Sequence, residues 1–338
     1  MKAAVLVKNG NASTAFEIRE VPKPEPGEGE VLIKVAAFGL NFADVMARIG
    51  MYKEAPPLPA ILGYDVAGYI ETVGTNVSTL KPGDRVVAMT RFGGYAEYAV
   101  TKASAVAVIP ADINMPAATA LATQYCTAYY SAAEVMSLYA GDKVLIQSGA
   151  GGVGTALIQY AKYKGCEIFS TAGSDEKLKY LSSMGVQHPV NYTMHDFEAI
   201  IKKSTAGKGV DAIFDAVGGS SIKKGFKSLA AGGRLVCYGA SDMSGKNIFG
   251  KVGAALGFGF YHPLMLMMPS KAIIGVNMLR IADEKPAIIQ RCLEAVVQLT
   301  RDGVFKPVLG KSFHVSEIGA AHEYLEKRKS MGKVAVQW

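Results

Sequence analysis

Cysteine is scarce in this chain of 338 residues. Its four cysteines, Cys126, Cys166, Cys237 and Cys292, include no CxxC pair. We therefore expect neither a disulfide framework nor a thiolate-rich structural zinc site, because both need clustered thiols. Free cysteines favour a reducing compartment, so the expected location is cytoplasmic.

Charge is also sparse, at 19% of residues against 50% hydrophobic residues. The net charge of +7 comes with no long basic run and no basic residues interleaved with aromatic ones. Nucleic-acid binding is therefore not expected. The hydrophobic content excludes a disordered chain, and the length is about twice that of a typical domain. We find neither a secretory signal nor a clear membrane span.

One segment, residues 252–270, contains no charged side chain and lies between Lys251 and Lys271. Pro263 and three glycines argue against a continuous helix. We favour the interpretation that this segment is a mobile, methionine-rich lid that covers a hydrophobic substrate cleft. A subunit contact and a peripheral membrane contact are the alternatives.

The order of predicted elements divides the chain. Residues 1–122 contain short β-like runs separated by glycine and proline, with one helix at 41–48, which is typical of a small β-barrel-like domain. A predicted helix at 115–136 crosses the boundary into residues 123–270. These then alternate strands with helices, the pattern of a doubly wound parallel sheet whose sixth strand reaches about residue 277. Residues 278–338 supply a further helix and elements able to return to the first domain.

The individual strands can also be placed. Five strands of the doubly wound sheet are predicted at 143–147, 167–172, 210–215, 234–238 and 272–276. In the C-terminal tail, a helix is predicted at 315–329 between strands at 306–309 and 332–337.

A glycine-rich turn follows the first of these strands. Gly149, Gly151 and Gly154 satisfy the GxGxxG spacing. Glycines at this spacing allow the turn, the approach of a pyrophosphate to the backbone and the packing of helix on sheet. The amide groups of Gly152 and Val153 open the helix, where anions bind. The sequence therefore predicts a dinucleotide site.

The second strand lacks the acidic residue that would bind the ribose hydroxyls of NAD. Residues 169–174 contain no carboxylate, and Lys177 follows one turn into the next helix. A neutral rim with a lysine suits a ribose phosphate, so NADPH is favoured. Lys177 could instead be an ordinary surface lysine, and Asp175 nearby argues against a phosphate.

Several motifs together resemble one family. They are residues 141–145, the turn 149–154 with Gln159 and Lys162, and the N-terminal segments 39–44, 48–52, 59–65 and 83–86. The chain resembles, over almost its whole length, the zinc-independent quinone oxidoreductase (zeta-crystallin-like) branch of the medium-chain dehydrogenase/reductase superfamily. Within this branch, segments 41–52 and 188–192 look most similar to the synaptic vesicle membrane protein (vesicle amine transport protein) homologues.

The resemblance implies a Rossmann domain inserted into a mostly β, GroES-like catalytic domain, with NADPH held between them. It also implies a homodimer. Zinc-binding relatives carry a cysteine and a histidine where this chain has Asn41 and Tyr64, and Cys126 is near the third ligand position. One thiol does not hold zinc, and the five histidines show no ligand-like spacing, so no metal is expected.

An enone or quinone is a more suitable substrate than an alcohol in the absence of a Lewis acid. Hydride addition leaves an enolate or phenolate oxygen that needs only hydrogen-bond donors. By resemblance, Asn41 and Tyr52 orient and stabilise that oxygen, and Thr127 lies beside the nicotinamide. The proton donor is open between Tyr52, Tyr64 and water. Asn41 could instead only cap its helix, Tyr64 could only pack, and Asp44 more simply fixes local geometry.

Further cofactor contacts are implied at three places. The adenosine phosphate would be bound by Ser174, Lys177 and Tyr192. Two loops that follow later strands would also contact the cofactor, one through Val217 and Gly218 and the other through Gly239, Ala240 and Ser241. Val276 and Asn277 fit either a nicotinamide contact or pairing between subunits. The expected activity is NADPH-dependent reduction of quinones or other activated alkenes and carbonyls such as enones. The alternative is a low-turnover NADPH-binding protein that acts through association with a membrane or a partner.

Overall fold

The computed structural model describes residues 1–243 and 248–338. Its chain divides into two compact units. The first unit combines Met1–Cys126 with Met278–Trp338, and the second consists of Thr127–Asn277. One contiguous segment therefore interrupts the sequence of the other unit.

The N-terminal part of the first unit is rich in strands, as predicted. Its elements are β1 (Lys2–Leu6), α1 (Ala12–Ala15), β2 (Phe16–Glu20), β3 (Glu30–Leu40), α2 (Phe42–Arg48), β4 (Ala60–Ile61), β5 (Asp65–Val73), β6 (Arg85–Met89), β7 (Tyr98–Lys102), β8 (Val106–Val108) and α3 (Met115–Ala120). The helix predicted at 115–136 is helical but not continuous. Wider π-helical turns at Leu121–Tyr125 and Tyr130–Glu134 flank the short α4 (Cys126–Tyr129).

The second unit is a six-stranded, fully parallel sheet in the order β11-β10-β9-β12-β13-β14. This confirms the predicted doubly wound fold. Its elements are β9 (Lys143–Ile146), α5 (Gly152–Tyr163), β10 (Glu167–Ala172), α6 (Asp175–Ser183), β11 (His188–Asn191), α7 (Phe197–Ser204), β12 (Val210–Asp215), α8 (Ser220–Ser228), β13 (Leu229–Cys237), α9 (Ile248–Gly257), α10 (Pro263–Met267) and β14 (Ala272–Gly275).

Strand β11 was not among the predicted strands. It contains Pro189, which disfavours a central strand, and it lies at the edge of the sheet, where proline is tolerated. Its partner is β10, with Phe169 opposite His188. The side chain of Phe169 is fully buried in the core of this unit, and its ring stacks on that of His188.

The C-terminal segment completes the first unit. Its elements are α11 (Met278–Glu284), α12 (Pro286–Arg301), β15 (Leu309–His314), α13 (Ile318–Glu326) and β16 (Lys333–Gln337). Strand β16 pairs antiparallel with β3 in a sheet ordered β15-β16-β3-β5-β6-β8, with β7 also on β3. The first tail strand predicted at 306–309 is instead β15, because polar residues of this edge strand gave little hydrophobic signal.

The apolar segment 252–270 contains parts of two helices rather than one. Helix α9 ends at Gly257 and α10 begins at Pro263, consistent with the predicted interruption. The side chains of Val252 and Ala254 lie outside the described residues. No helix within the described ranges is long and apolar enough to span a bilayer.

Candidate functional site

The glycine-rich turn lies between β9 and α5, as the GxGxxG spacing predicts. Ser148 adopts the left-handed conformation, with φ of 55°, and Gly151 is the N-cap residue of α5. The amides of Ser148 and Gly149 donate to Thr171 of the neighbouring strand β10. The turn is thereby fixed at the carboxyl end of the sheet, where doubly wound folds bind ligands.

The three motif glycines have different neighbours. A Cβ at Gly149 would lie 1.8 Å from Ser170 Oγ, and one at Gly154 would lie 2.6 Å from Gly149 Cα and Ser148 O. Gly149 and Gly154 are therefore required by packing. A Cβ at Gly151 would meet only Ser148 O, at 3.3 Å. Gly151 is the position where the backbone is open to a ligand.

Helix α5 presents unused donors at this opening. The first intrahelical bond runs from the Thr155 amide to Gly151 O, so the amides of Gly152, Val153 and Gly154 have no acceptor within the helix. Together with the helix dipole, these donors can bind a pyrophosphate.

Ser174, Lys177 and Tyr192, for which contact with a ribose phosphate is predicted, lie around the end of β10. Ser174 is the N-cap residue of α6, and its Oγ accepts from the Lys177 amide at 3.4 Å. The exposed Tyr192 ring covers Gly173, where a Cβ would lie 2.4 Å from the tyrosine oxygen. Asp175, which argued against a phosphate, accepts from Asn191 Nδ2 at 3.4 Å.

The loops after β12 and β13 are bonded to each other. Buried Asp215 accepts from the amides of Val217 and Gly218, at 2.7 and 2.8 Å. The amides of Ser241 and Asp242 donate to Ala216 O and Val217 O. Because the Val217 amide already donates to Asp215, it is not available to donate to a cofactor.

Gly239 and Ala240 lie at the same end of the sheet. A Cβ at Gly239 would come 2.6 Å from Ala216 O, so the backbones of the two loops are in close contact. The ring of Phe258 packs on this region, since a Cβ at Gly218 would lie 2.7 Å from it and 3.1 Å from Ala240 Cα.

Segment 252–270 thus contacts the loops that carry predicted cofactor residues. Farther along, Phe260 and Met268 are 87% and 85% exposed. The segment therefore combines a packed part with an exposed apolar part, which is compatible with each of the three roles predicted for it.

In the first unit, Asn41 belongs to a buried polar cluster. Asn41 Nδ2 donates to Asp65 Oδ2 at 2.7 Å, and Lys333 Nζ donates to Asn41 Oδ1 at 3.0 Å and to Asp65 Oδ2 at 2.9 Å. The Asn41 amide donates to Asp44 Oδ2 at 2.8 Å, so Asp44 also fixes the start of α2. Lys333, Asp65 and Asp44 are fully buried.

Burial controls the protonation of groups beside this cluster. It raises the pKa of Asp44 to about 7, since the charged carboxylate loses its hydration. Burial also raises the pKa values of the Tyr52 and Tyr64 hydroxyls, so both are protonated hydrogen-bond donors at neutral pH. The two rings meet edge to face with centroids 6.1 Å apart. The structure thus brings Asn41, Tyr52 and Tyr64 together around Asp44.

A salt bridge supports the loop that carries Tyr52. Arg280, on α11, pairs with Glu54 at 3.4 Å, so the returning C-terminal segment braces this loop. Thr127, the remaining predicted catalytic residue, is buried in α4, where the chain enters the second unit.

Asp65 and Lys333 belong to this cluster although the sequence does not identify them as site residues. In the sequence Asp65 is only the end of a family motif, and Lys333 only part of a predicted strand. A lysine opening an otherwise apolar strand was the one signal available. Within the described ranges, no three histidine, cysteine or acidic side chains form a group that could hold a metal ion.

Comparisons with known proteins place the chain in a family. Residues 27–111 match the alcohol dehydrogenase GroES-like domain, and residues 152–294 match the zinc-binding dehydrogenase family. The human quinone oxidoreductase is 32% identical over 324 residues, covering 96% of this chain and 93% of that protein. The chain belongs to the medium-chain dehydrogenase/reductase superfamily.

Two further relatives refine this membership. The synaptic vesicle membrane protein VAT-1 homolog of Danio rerio is 33% identical over 316 residues, covering 92% of this chain. This chain spans only 65% of that relative's length. Among solved structures, the Escherichia coli quinone oxidoreductase complexed with NADPH superposes with a TM-score of 0.87 at 26% identity and covers 100% of both chains. The predicted resemblance to quinone oxidoreductases and VAT-1 homologues is confirmed.

The geometry around Ser174 makes a prediction about cofactor choice in this dehydrogenase/reductase. Lys177→Ala should weaken NADPH binding about tenfold and leave NADH binding unchanged, because only NADPH carries the phosphate that a lysine would contact. Dissociation constants for both dinucleotides test this. Lys179→Ala, which removes an exposed lysine of the same helix, is the matched control. An unchanged preference in Lys177→Ala would refute the role of Lys177.

Proposed function

We propose that this protein reduces quinones or other activated alkenes and carbonyls, such as enones, with NADPH and without zinc. Its family and its NADPH-bound structural neighbour support NADPH-dependent oxidoreductase activity. The observation that carries the finer proposal is the set of neutral donors formed by Asn41, Tyr52 and Tyr64 near the buried Asp44. Asn41 is in addition hydrogen-bonded to the buried pair Lys333 and Asp65.

The residues of this cluster do not fit a zinc ion. Zinc in proteins is bound by thiolate, imidazole and carboxylate groups, whereas Asn41 and Tyr64 offer an amide and a phenol. Lys333 already places its ammonium group 3.0 Å from Asn41 Oδ1 and 2.9 Å from Asp65 Oδ2. A dication bound by these same oxygens would be repelled by that ammonium group.

Neutral donors are suited to an acceptor whose negative charge develops on oxygen. NADPH held by the second unit would supply a hydride to the β-carbon of the acceptor, and the electron pair of the double bond would move onto the acceptor oxygen. Asn41 and Tyr52 then stabilise that oxygen by hydrogen bonds that strengthen as its charge grows. Tyr52, Tyr64 or water would supply the proton that neutralises the resulting enolate or phenolate and completes the reduction.

The cofactor residues have a separate task in the second unit. The open backbone at Gly151 and the amides of Gly152 and Val153 would bind the pyrophosphate. Ser174, Lys177 and Tyr192 would hold the ribose phosphate. Packing of Phe258 against Gly218 would help exclude water from this end of the sheet.

Steady-state oxidation of NADPH with a panel of quinones and enones tests the proposal. Asn41→Ala should lower kcat about a hundredfold, as expected for loss of an oxyanion donor, and leave NADPH binding intact. Asn11→Ala is the control, because Asn11 is also a helix N-cap residue but lies outside the cluster. Equal activity of the wild type and Asn41→Ala would contradict the role of Asn41.

Tight NADPH binding without turnover on any acceptor would favour the alternative function, that of an NADPH-binding protein that acts through association with a membrane or a partner. The exposed apolar side chains of α10 are the feature that supports it. The homodimer and the cytoplasmic location stay predictions.

A further inference from the structure

We infer that Lys333 and Asp65 are positioning residues that hold the Asn41 carboxamide with its nitrogen available to the oxygen of the acceptor. This inference rests on the proposed function, in which Asn41 donates to that oxygen. It adds two residues that do not themselves contact substrate.

The three groups form a closed triangle of hydrogen bonds. Lys333 can only donate, so its contact at 3.0 Å identifies the carboxamide atom facing it as the oxygen. Asp65 accepts from Asn41 Nδ2 at 2.7 Å and from Lys333 at 2.9 Å. A flipped carboxamide would place its NH2 group against the ammonium and its oxygen against the carboxylate. Both contacts would be repulsive, so a single orientation is stable.

That orientation leaves one amide hydrogen unused. An asparagine NH2 group carries two donors, and Asp65 accepts one of them. Because residue Asn41 is 7% exposed while Asp65 and Lys333 are fully buried, Asn41 is the member of the triangle that a small molecule can reach.

Three adjacent strands are shaped to hold this triangle. Lys333 opens β16, Asp65 opens β5, and Gly39 lies on β3 between them. A Cβ at Gly39 would fall 1.9 Å from Asp65 Oδ1 and 2.1 Å from Lys333 Cε. The absent side chain of Gly39 makes the space that the ion pair occupies.

Stability alone is a poor explanation for this pair. Removing two charges from water has a large desolvation cost, and apolar residues of similar volume often replace buried ion pairs at no loss of stability. Asp65 Oδ1 is buried and has no hydrogen-bond partner among the residues that the structure describes, which adds to that cost. Fixing a neighbouring donor is a function that apolar replacements could not perform.

A double-mutant cycle between Lys333 and Asn41 tests the inference. Lys333→Met should lower kcat at least tenfold with NADPH affinity unchanged, whereas in an Asn41→Ala background it should change kcat less than twofold. Such non-additivity shows that Lys333 acts through Asn41. Lys333→Arg, which keeps the charge and the donors, should restore at least part of the lost kcat.

A second variant separates positioning from folding. Asp65→Leu combined with Lys333→Met replaces the ion pair by apolar side chains, so the protein should remain folded but lose kcat as Lys333→Met does. Arg48→Met is the control, since Arg48 is a second buried cation of this unit, paired with Glu326. It should lower the melting temperature without lowering the kcat of the folded protein.

The possible failures are distinguishable. Absence of turnover in the wild type would overturn the proposed function. Normal kcat in Asn41→Ala would overturn the role of Asn41 and, with it, this inference. Two results would overturn the positioning role alone, provided that Asn41→Ala lowers kcat. One is a normal kcat in the Asp65→Leu, Lys333→Met double variant. The other is an equal effect of Lys333→Met on kcat in the wild-type and Asn41→Ala backgrounds.

Discussion

Gly154→Ala is expected to lower the free energy of unfolding by about 3 kcal/mol, the upper part of the usual range for overpacking. Its new Cβ would lie 2.6 Å from Gly149 Cα and from Ser148 O. Both neighbours are backbone atoms, so α5 must move away from β9 to relieve the contact. Chemical denaturation of the purified variant measures the loss.

Gly151→Ala is the matched control within the same motif. Gly151 has φ of −74°, which alanine adopts easily, and its Cβ would meet only Ser148 O at 3.3 Å. Stability should change by less than about 0.5 kcal/mol, whereas NADPH affinity should fall at least tenfold because the methyl group occupies the approach to the pyrophosphate. Normal NADPH affinity would contradict our placement of the cofactor.

The second large effect is a pH-dependent stability with two opposing contributions in the first unit. Burial lowers the pKa of His322 to about 3, with the Arg48 charge as a further cause. Below its ordinary value of 6.5 the unfolded chain takes up a proton that the folded protein does not bind, so stability falls as pH falls from 6.5 towards 3. Asp44 acts in the opposite direction, because its raised pKa makes the folded protein bind a proton first.

Single variants should expose the two slopes. As the pH falls from 7 to 4, the free energy of unfolding of His322→Gln should rise by about 3 kcal/mol relative to that of the wild type. The reason is that glutamine cannot take up the proton that stabilises the unfolded wild-type chain. As the pH falls from 8 to 4, the free energy of unfolding of Asp44→Asn should fall by about 4 kcal/mol relative to that of the wild type. The wild type is stabilised over this range by protonation of its buried carboxylate, whereas asparagine does not titrate. Urea titrations at each pH measure both differences. Parallel profiles for wild type and either variant would contradict the assigned burial effect.

The groups facing His322 explain the size of its effect. Its Nε2 lies 3.2 Å from the Tyr95 hydroxyl, and its ring packs against that of Phe16 with the ring centroids 4.6 Å apart. Arg48 lies close enough to repel an imidazolium. These neighbours favour the neutral ring, so the folded protein accepts a proton only in strong acid.

The central strands of the second unit and the glycine-rich turn after β9 could be predicted from the sequence. The reason is steric, since only glycine fits at Gly149 and Gly154. Such a requirement is visible in the sequence itself, as glycines at a fixed spacing. The edge strands β11 and β15 were harder, because edges tolerate Pro189 and polar residues that central strands exclude.

The candidate catalytic cluster was predicted only in part. Asn41, Tyr52 and Tyr64 came from a family resemblance, whereas Asp65 and Lys333 depend on strand pairing. Asp65 and Lys333 are 268 positions apart, and each on its own is an ordinary charged residue. Only the pairing of β16 with β3 and of β3 with β5 brings them together.

The interruption of the first unit by the second also has a consequence for biosynthesis. Asn41 and Lys333 are 292 positions apart, so a ribosome must complete nearly the whole chain before their hydrogen bond can form. The second unit is contiguous and can fold while the C-terminal segment is still being made. During translation the glycine-rich turn is therefore assembled before the donor cluster. On the proposed function, a nascent chain should acquire affinity for NADPH before it can reduce an acceptor.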